Sequence, residues 1–431
     1  LKELKKNPII FVPGLMGSFG GEMLLGRGPW TFGVANLIYK PLIKGLEDMG
    51  YRRDENLFIC YYDWRKSIED IVEEYFKPLL LEVRKKFPQQ PLDVICHSMG
   101  GIVARGYLQR EGKEGEIERL IMLGTPNKGA VYAYYFWSTG RLIKTKSLNG
   151  YIYRGYIWLL SKILNIPMGA DHIEDLHNAF PAMKSLLPSS DYGDFLFYHD
   201  EYKKPVPISR RYIKYHNHYL DQLNDSYKGL FNITKEVYSI AGTEFETKEG
   251  LILDRKKLAL GQEYIIDFVY TLEGDGTVTQ GSAELNYSSN INIISNHHNI
   301  VKDSLPELGK IYGVELDADT PDLATLHIIF SGDLHFLLET EEEFVMDYSK
   351  NRIITNKYYI QQFHDSDYTW LAIVEPPKGE YLLKFKSFKQ QSCKMLILGD
   401  GLEEDIEEMI EVVEGYHDGD KSIFFTLRKD Q

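Results

Sequence analysis

Through its first 127 residues the chain alternates short, nearly unbroken apolar runs with longer stretches of helical period. "NPIIFVPG" (7–14) is an apolar run closed by Pro13 and Gly14, which predicts a buried strand running into a tight loop. Residues 35–50 have helical spacing and a glycine stop, and "NLFICYYDW" (56–64) predicts a second buried strand. Between 67 and 87 the period is helical again, with Ser67 and acidic residues at the start and basic residues at the end, as a helix dipole favours. "PLDVICHS" then predicts a third strand, "MGGIVARGYLQREG" a helix and "IERLIMLGTP" a fourth strand. Strands without polar alternation are buried on both faces. Their alternation with helices predicts a parallel sheet covered on two sides, an α/β fold.

The rhythm breaks between about 128 and 235, where "VYAYYFW", "YIYRGYIWLLSKIL" and "AFPAMKSLLP" are rich in aromatics but lack a strand period. This stretch predicts a helical insertion, either a cap or lid or an ordinary helical subdomain with its own core. Alternation resumes with "EVYSIAG" (236–242), "DFVYTLEGDGTV" (267–278) and "NINIISNHHNIVKD" (290–303). From about 313 short alternating runs separated by turns such as Pro376-Pro377-Lys378-Gly379 predict an all-β sandwich-like module. The expected organisation is a domain at 1–312, carrying the insertion at 128–235, and a β domain at 313–431.

Composition narrows the partners. A net charge of −14 makes the chain a poor match for nucleic acid or for an anionic membrane surface. Cys60, Cys96 and Cys393 are too scattered for a disulfide framework or a zinc motif, and no apolar run reaches 18 residues.

"VICHSMGGIV" (94–103) places Ser98 where a buried strand meets a helix. A nucleophile held on so sharp a turn needs small residues nearby, which Gly100 and Gly101 supply, whereas Cys96 stands where glycine is usual. A serine there also suits a plain helix cap. A serine hydroxyl needs a base, the base an orienting carboxylate, and the oxyanion two backbone donors. Asp275 lies between Gly274 and Gly276 after a strand-like run, and His297 and His298 follow the next one, both open as the base. The glycine-rich "FVPGLMGSF" (11–19) and the residue after Ser98 offer the amides of Leu15 and Met99 as oxyanion donors. Phosphate binding there lacks both Gly-Lys-Ser/Thr and Gly-x-Gly-x-x-Gly. His216, His218 and Asp221 cluster in "HNHYLD" without zinc-like spacing, and Asp317, Asp319 and Asp322 read as solvated linker rather than a calcium site. No metal and no cofactor is expected.

"FVPGLMGS", "YYDWR", "CHSMGG", "LGTPNKG", "GDGTV" and "NHHNIVK" occur in the order found in α/β-hydrolase lipases. Together they resemble the lecithin:cholesterol acyltransferase and lysosomal phospholipase branch with its bacterial lipase relatives, over about residues 7–310. The resemblance implies a Ser98–His297–Asp275 triad, with His297 rather than His298 as base, and an oxyanion amide from Leu15. It also implies that Asp63 and Trp64 line an acyl pocket. Two departures stand out: Cys96 at the small-residue position, and no counterpart of the disulfide-bonded lid of the mammalian enzymes. The expected function is hydrolysis of lipid esters, with a lipid ester at a lipid–water interface as partner. Tyr132, Tyr134, Phe136, Trp137, Trp158, Leu159 and Leu164 of the insertion would supply apolar surface for such a substrate. Acyl transfer to an alcohol, or lipid binding without catalysis, are the alternatives. The β module resembles appendages of secreted bacterial hydrolases, which favours export over a cytoplasmic location.

Overall fold

A computed structural model describes residues 6–18, 20, 30–32, 35–141 and 169–316, most of 325–400, and the strands at 415–416 and 419–427. Trp158, Leu159, Leu164, Asp317, Asp319 and Asp322 lie outside the described residues. The first strands follow the apolar runs: β1 (Ile9–Val12), β2 (Leu57–Ile59), β3 (Leu92–His97) and β4 (Ile117–Leu123). Further along come β5 (Leu196–His199), β6 (Pro205–Pro207), β7 (Thr234–Thr243), β8 (Thr247–Leu253), β9 (Ile265–Thr271) and β10 (Ser289–Ile294).

Six of these form one sheet in the order β10-β7-β4-β3-β1-β2, and every neighbouring pair is parallel. Every residue of β1 and β3 is buried, because helices cover both faces there, as the apolar runs require. One core layer joins Ile9, Phe11, Ile95, Ile121 and Ile240 of the sheet to Tyr39, Leu42, Ile43 and Leu46 of the helix Asn36–Asp48. On the segment predicted helical at 67–87, Ser67 caps the first turn by accepting the Asp70 amide at 3.1 Å. That helix passes through one π turn, Val72–Phe76, before continuing as Lys77–Lys86.

Strand order reverses between β1 and β3: the chain leaves β1 towards β2 on one side, and returns with β3 on the other. In an open α/β sheet the crevice beyond the carboxyl ends of two such strands is where ligands bind. The loop after β1 and Ser98 after β3 both open into it. This is the α/β-hydrolase arrangement the sequence predicts.

The strand expected at 267–278 belongs elsewhere. It appears as β9, at the edge of a second sheet ordered β6-β5-β8-β9. Ile266 and Tyr270 on it are 51% and 44% exposed, so it is not a doubly buried strand of the main sheet. The insertion also contains β5 and β6 beside its helices Val131–Thr139 and Ile173–Ala179. Its aromatics are packed inward: Tyr134, Phe136 and Trp137 are buried and Tyr132 is half-buried. Trp137 stacks on His177 at 3.6 Å between centroids, and Tyr134 meets Phe195 at 5.0 Å.

A second compact unit includes the chain from Pro321 onward. Its strands are β11 (Thr325–Ser331), β12 (Leu334–Thr340), β13 (Phe344–Ser349), β14 (Arg352–Thr355), β15 (Tyr359–His364), β16 (Tyr368–Val374), β17 (Gly379–Ser387), β18 (Ser392–Cys393), β19 (Met395–Asp400), β20 (Gly415–Tyr416) and β21 (Gly419–Leu427). Two antiparallel sheets, β15-β16-β11-β19 and β14-β13-β12-β17-β21, share one core of Leu326, Ile328, Phe336, Leu338, Ile373 and Leu383 among others. This is a sandwich.

His327 on β11 is buried, and burial pushes its imidazole down from 6.5 to about 4. The unfolded chain therefore takes up a proton as pH falls below 6.5 that the folded unit refuses down to about 4, so stability drops across that window. Going from pH 7 to pH 5 should destabilise this unit by roughly 1–2 kcal/mol. Denaturant midpoints at the two pH values check this; a His327→Leu variant that keeps the full pH slope would refute it.

Candidate active site

Ser98 joins β3 to the helix Met99–Glu111 with φ 52° and ψ −125°, a conformation strained for any residue but glycine. Its side chain makes no capping hydrogen bond, so the plain-cap alternative is not what is built here. The turn is sharp enough that the helix lies directly on β1. A methyl group on Gly100 would sit 2.3 Å from the Val12 carbonyl oxygen and 2.6 Å from that of Pro13. At Gly101 it would meet Thr125 Oγ1 at 2.1 Å. Cys96 raises no such conflict: it is buried within β3, paired with Val12 on β1 and Met122 on β4.

The three residues predicted as a triad come together. His297 Nε2 is 2.9 Å from Ser98 Oγ, and His297 Nδ1 is 2.7 Å from Asp275 Oδ2. A carboxylate only accepts, so Nδ1 carries the proton and Nε2 is free to accept from the serine hydroxyl. Asp275 is 2% exposed, and its other oxygen accepts the amides of Thr277 at 2.9 Å and Val278 at 2.7 Å. The two loops are also tied by backbone, His297 N–H donating to the Asp275 carbonyl at 2.8 Å. Asp275 reaches the sheet through a detour, since the loop after β9 bridges to Phe245 in the corner between β7 and β8.

His298 is half-buried, its ring 6.2 Å from that of His297. Two variants separate the pair. His297→Ala should lose about 10⁴-fold or more in kcat, whereas His298→Ala should stay within about tenfold of wild type. Steady-state kinetics of both on one ester is the check, and full activity in His297→Ala would reassign the base.

Gly14, Leu15, Met16 and Gly17 form a turn closed by Gly17 N–H on the Gly14 carbonyl at 3.0 Å, with Met16 at φ 59°. Leu15 is half-buried on it, one residue after Gly14, where a methyl group would lie 2.9 Å from Ser98 Cβ. The Met99 amide is one of the helix-start N–H groups that have no acceptor within the helix. The Tyr-Asp-Trp-Arg segment secures this loop. Tyr62 Oη donates to the Pro13 carbonyl at 2.5 Å, and Trp64 Nε1 to the Ser18 carbonyl at 3.1 Å. Asp63 and Trp64, the residues expected to touch substrate, are 3% and 1% exposed. Asp63 is held by Arg65 at 2.9 and 2.6 Å, and the Trp64 ring meets Phe180 at 5.2 Å. Of the two, Trp64 reaches the loop, while Asp63 holds Arg65 of its own segment.

Sequence reasoning missed two glycines that make room for Asp275 and His297. A methyl on Gly124, at φ +57°, would lie 3.3 Å from both Asp275 Oδ2 and His297 Nδ1; on Gly242 it would lie 2.7 Å from Asp275 Cβ. The signal for Gly124 was present, a glycine directly after the strand-like "IMLG". His216 and His218 stack at 5.9 Å between ring centroids. Asp221 accepts the Ser190 amide at 2.6 Å, and the described residues gather no group of three or more His, Cys, Asp or Glu side chains around a metal-sized space. Nor, among the described residues, is any helix long and apolar enough to cross a membrane.

The sequence model of the lecithin:cholesterol acyltransferase family matches residues 32–200, a stretch that contains Ser98 but ends before Asp275 and His297. No curated protein sequence matches the chain. Among solved structures, the mature form of Bacillus licheniformis lipase BlEst2 is 17% identical, with a TM-score of 0.41 over 73% of this chain and 94% of that one. The propeptide form of that lipase is 13% identical, with a TM-score of 0.41 over 96% and 97% of the two chains. Phospholipase PlaB from Legionella pneumophila is 12% identical, with a TM-score of 0.35 over 94% of this chain and 91% of that one. Over residues 32–200 the chain is similar to the lecithin:cholesterol acyltransferase family, and the unit carrying that stretch has the α/β-hydrolase fold.

Proposed function

We propose that the protein is a serine carboxylic-ester hydrolase acting on lipid esters. The observation that carries this is the run from Asp275 through His297 to Ser98, at 2.7 and 2.9 Å, ending on a serine at φ 52°. Ser98 Oγ attacks the ester carbonyl carbon as His297 Nε2 takes its proton. Asp275 stabilises the imidazolium and holds the ring in place. The carbonyl oxygen becomes the oxyanion, which the Leu15 and Met99 amides stabilise. His297 returns the proton to the departing alcohol, leaving an acyl group on Ser98. Water, deprotonated by His297, then attacks the acyl carbon, and the Ser98 Oγ–carbon bond breaks as Oγ takes the proton back from His297 and the acid leaves.

The lipid class leans on the similarity to a family named for acyl transfer between lecithin and cholesterol. It does not lean on Tyr134, Phe136 and Trp137, which are spent on the core of the insertion. The same similarity favours a second acceptor, an alcohol in place of water. p-Nitrophenyl esters of increasing chain length, with and without an alcohol, test both readings. Release rising with chain length supports a lipid esterase; no release at any length overturns it. The ratio of free acid to new ester assigns the acceptor.

A further inference from the structure

Hydrogen bonds behind the site continue past Ser98, His297 and Asp275. The Gly14 amide lies 2.8 Å from the Tyr39 hydroxyl oxygen, Tyr39 Oη lies 3.0 Å from His97 Nδ1, and His97 Nε2 lies 3.0 Å from the backbone carbonyl oxygen of His297. Chemistry fixes the direction of each. A carbonyl oxygen only accepts, so His97 Nε2 carries the proton and donates it. Nδ1 of that neutral ring accepts, and the Tyr39 O–H is its donor. The phenol oxygen keeps a lone pair for the Gly14 N–H.

The chain of bonds is closed to water, with Tyr39 and His97 2% and 3% exposed. Burial raises the Tyr39 phenol and lowers the His97 imidazole, the latter helped by nearby His297, so both stay neutral. The parts also touch directly. A methyl on Gly14 would lie 2.9 Å from Ser98 Cβ and 3.0 Å from His97 Nδ1, and the His97 and His297 rings are 5.2 Å apart. What these bonds join is specific. One end is the loop that presents the Leu15 amide, and the other is the backbone of the base. These loops follow β1 and β10, which three other strands separate in the sheet.

Resting on the triad reading above, we propose that Tyr39 and His97 are positioning residues that hold the oxyanion loop and the base loop in register, so that both address one carbonyl carbon. Neither residue touches substrate. Their effect is on the alignment of groups that do, and small misplacements of such groups reduce turnover steeply.

The test compares Tyr39→Phe, His97→Phe, His97→Gln and the Tyr39→Phe/His97→Phe double variant with wild type. It measures steady-state kinetics on a p-nitrophenyl ester, labelling of Ser98 by a fluorophosphonate, and thermal midpoint. Tyr39→Phe deletes one oxygen and keeps the ring against Phe11 and Phe32, at 5.1 and 4.9 Å. It should lower kcat by about 10- to 100-fold with KM within about twofold, and slow labelling in parallel. His97→Phe should do the same. His97→Gln, whose amide can donate to the His297 carbonyl and accept from Tyr39, should recover most of kcat. The double variant should fall no further than the worse single one, because both residues act through one chain of bonds. Wild-type kcat in Tyr39→Phe overturns the positioning role, as do multiplicative losses in the double variant or a His97→Gln no better than His97→Phe. Loss in these variants with unchanged labelling overturns it too. If wild type neither turns over esters nor reacts with the fluorophosphonate, the triad reading itself falls and takes the positioning role with it. Turnover that vanishes in Ser98→Ala but survives intact in Tyr39→Phe removes the positioning role alone.

Discussion

Ser98→Ala should abolish ester turnover, by about 10⁴-fold or more, while leaving the protein as well folded as wild type. The loss follows from Ser98 Oγ being the group 2.9 Å from His297 Nε2 at the crevice, with nothing else on the strand end to replace it. The retained stability follows from the same geometry. Ser98 makes no capping bond, so removing its hydroxyl leaves no buried partner unsatisfied in the helix start. Ser98→Gly goes further, because glycine accepts φ 52° without steric cost, and it should gain about 1 kcal/mol. An inactive variant more stable than the active protein would mark this turn as strain maintained for function. Turnover in Ser98→Ala at even a tenth of the wild-type rate would remove the nucleophile assignment. Thermal midpoints and p-nitrophenyl ester kinetics on the three proteins decide both points.

The second large effect is on folding. Gly100→Ala adds one methyl group where the helix Met99–Glu111 meets β1, 2.3 and 2.6 Å from two backbone carbonyl oxygens. Neither side can yield cheaply, since β1 is paired on both edges, to β2 and β3. Relief would require lifting a helix that is buried from Met99 to Leu108. Overpacking against a fixed backbone should cost about 3 kcal/mol or more, enough to lower the thermal midpoint by roughly 5 °C. Gly281→Ala is the matched control, because a methyl there has nothing within 4 Å. Equal midpoints for the two variants would refute the argument that contact with β1 dictates glycine at position 100.

How much of this was legible beforehand depended on range. β1, β3 and β4 could be read because a strand buried on both faces shows itself as a plain apolar run. Ser98, Asp275 and the His297-His298 pair could be picked out by their order and by the turns around them, and His297 within the pair by resemblance; the structure places Ser98, His297 and Asp275 within hydrogen-bonding distance. β9 was legible as a strand but not as a member of the side sheet, since period two says nothing about which neighbour a strand finds. Asp63 and Trp64 were assigned through resemblance, which locates a segment near the pocket without saying which way its side chains face. Tyr39 and His97 were invisible for a different reason. A tyrosine in an amphipathic helix and a histidine at a strand end look like core until their partners, 25 and 200 residues away in sequence, are seen.

Among the described residues β10 is an edge strand, paired with β7 and with alternate residues open to solvent, and the chain reaches His297 three residues after it ends. This gives the refolding reaction an order. Ser98, its helix and the Gly14–Gly17 loop belong to interior strands of the sheet, but His297 has no address until β10 has zipped onto β7. Pairings between distant parts of a chain are the slow ones to form. A refolding chain should therefore recover its helical circular dichroism first and its ester turnover last. In the native state, fraying of that one edge should separate His297 from Ser98 well before the sheet itself opens.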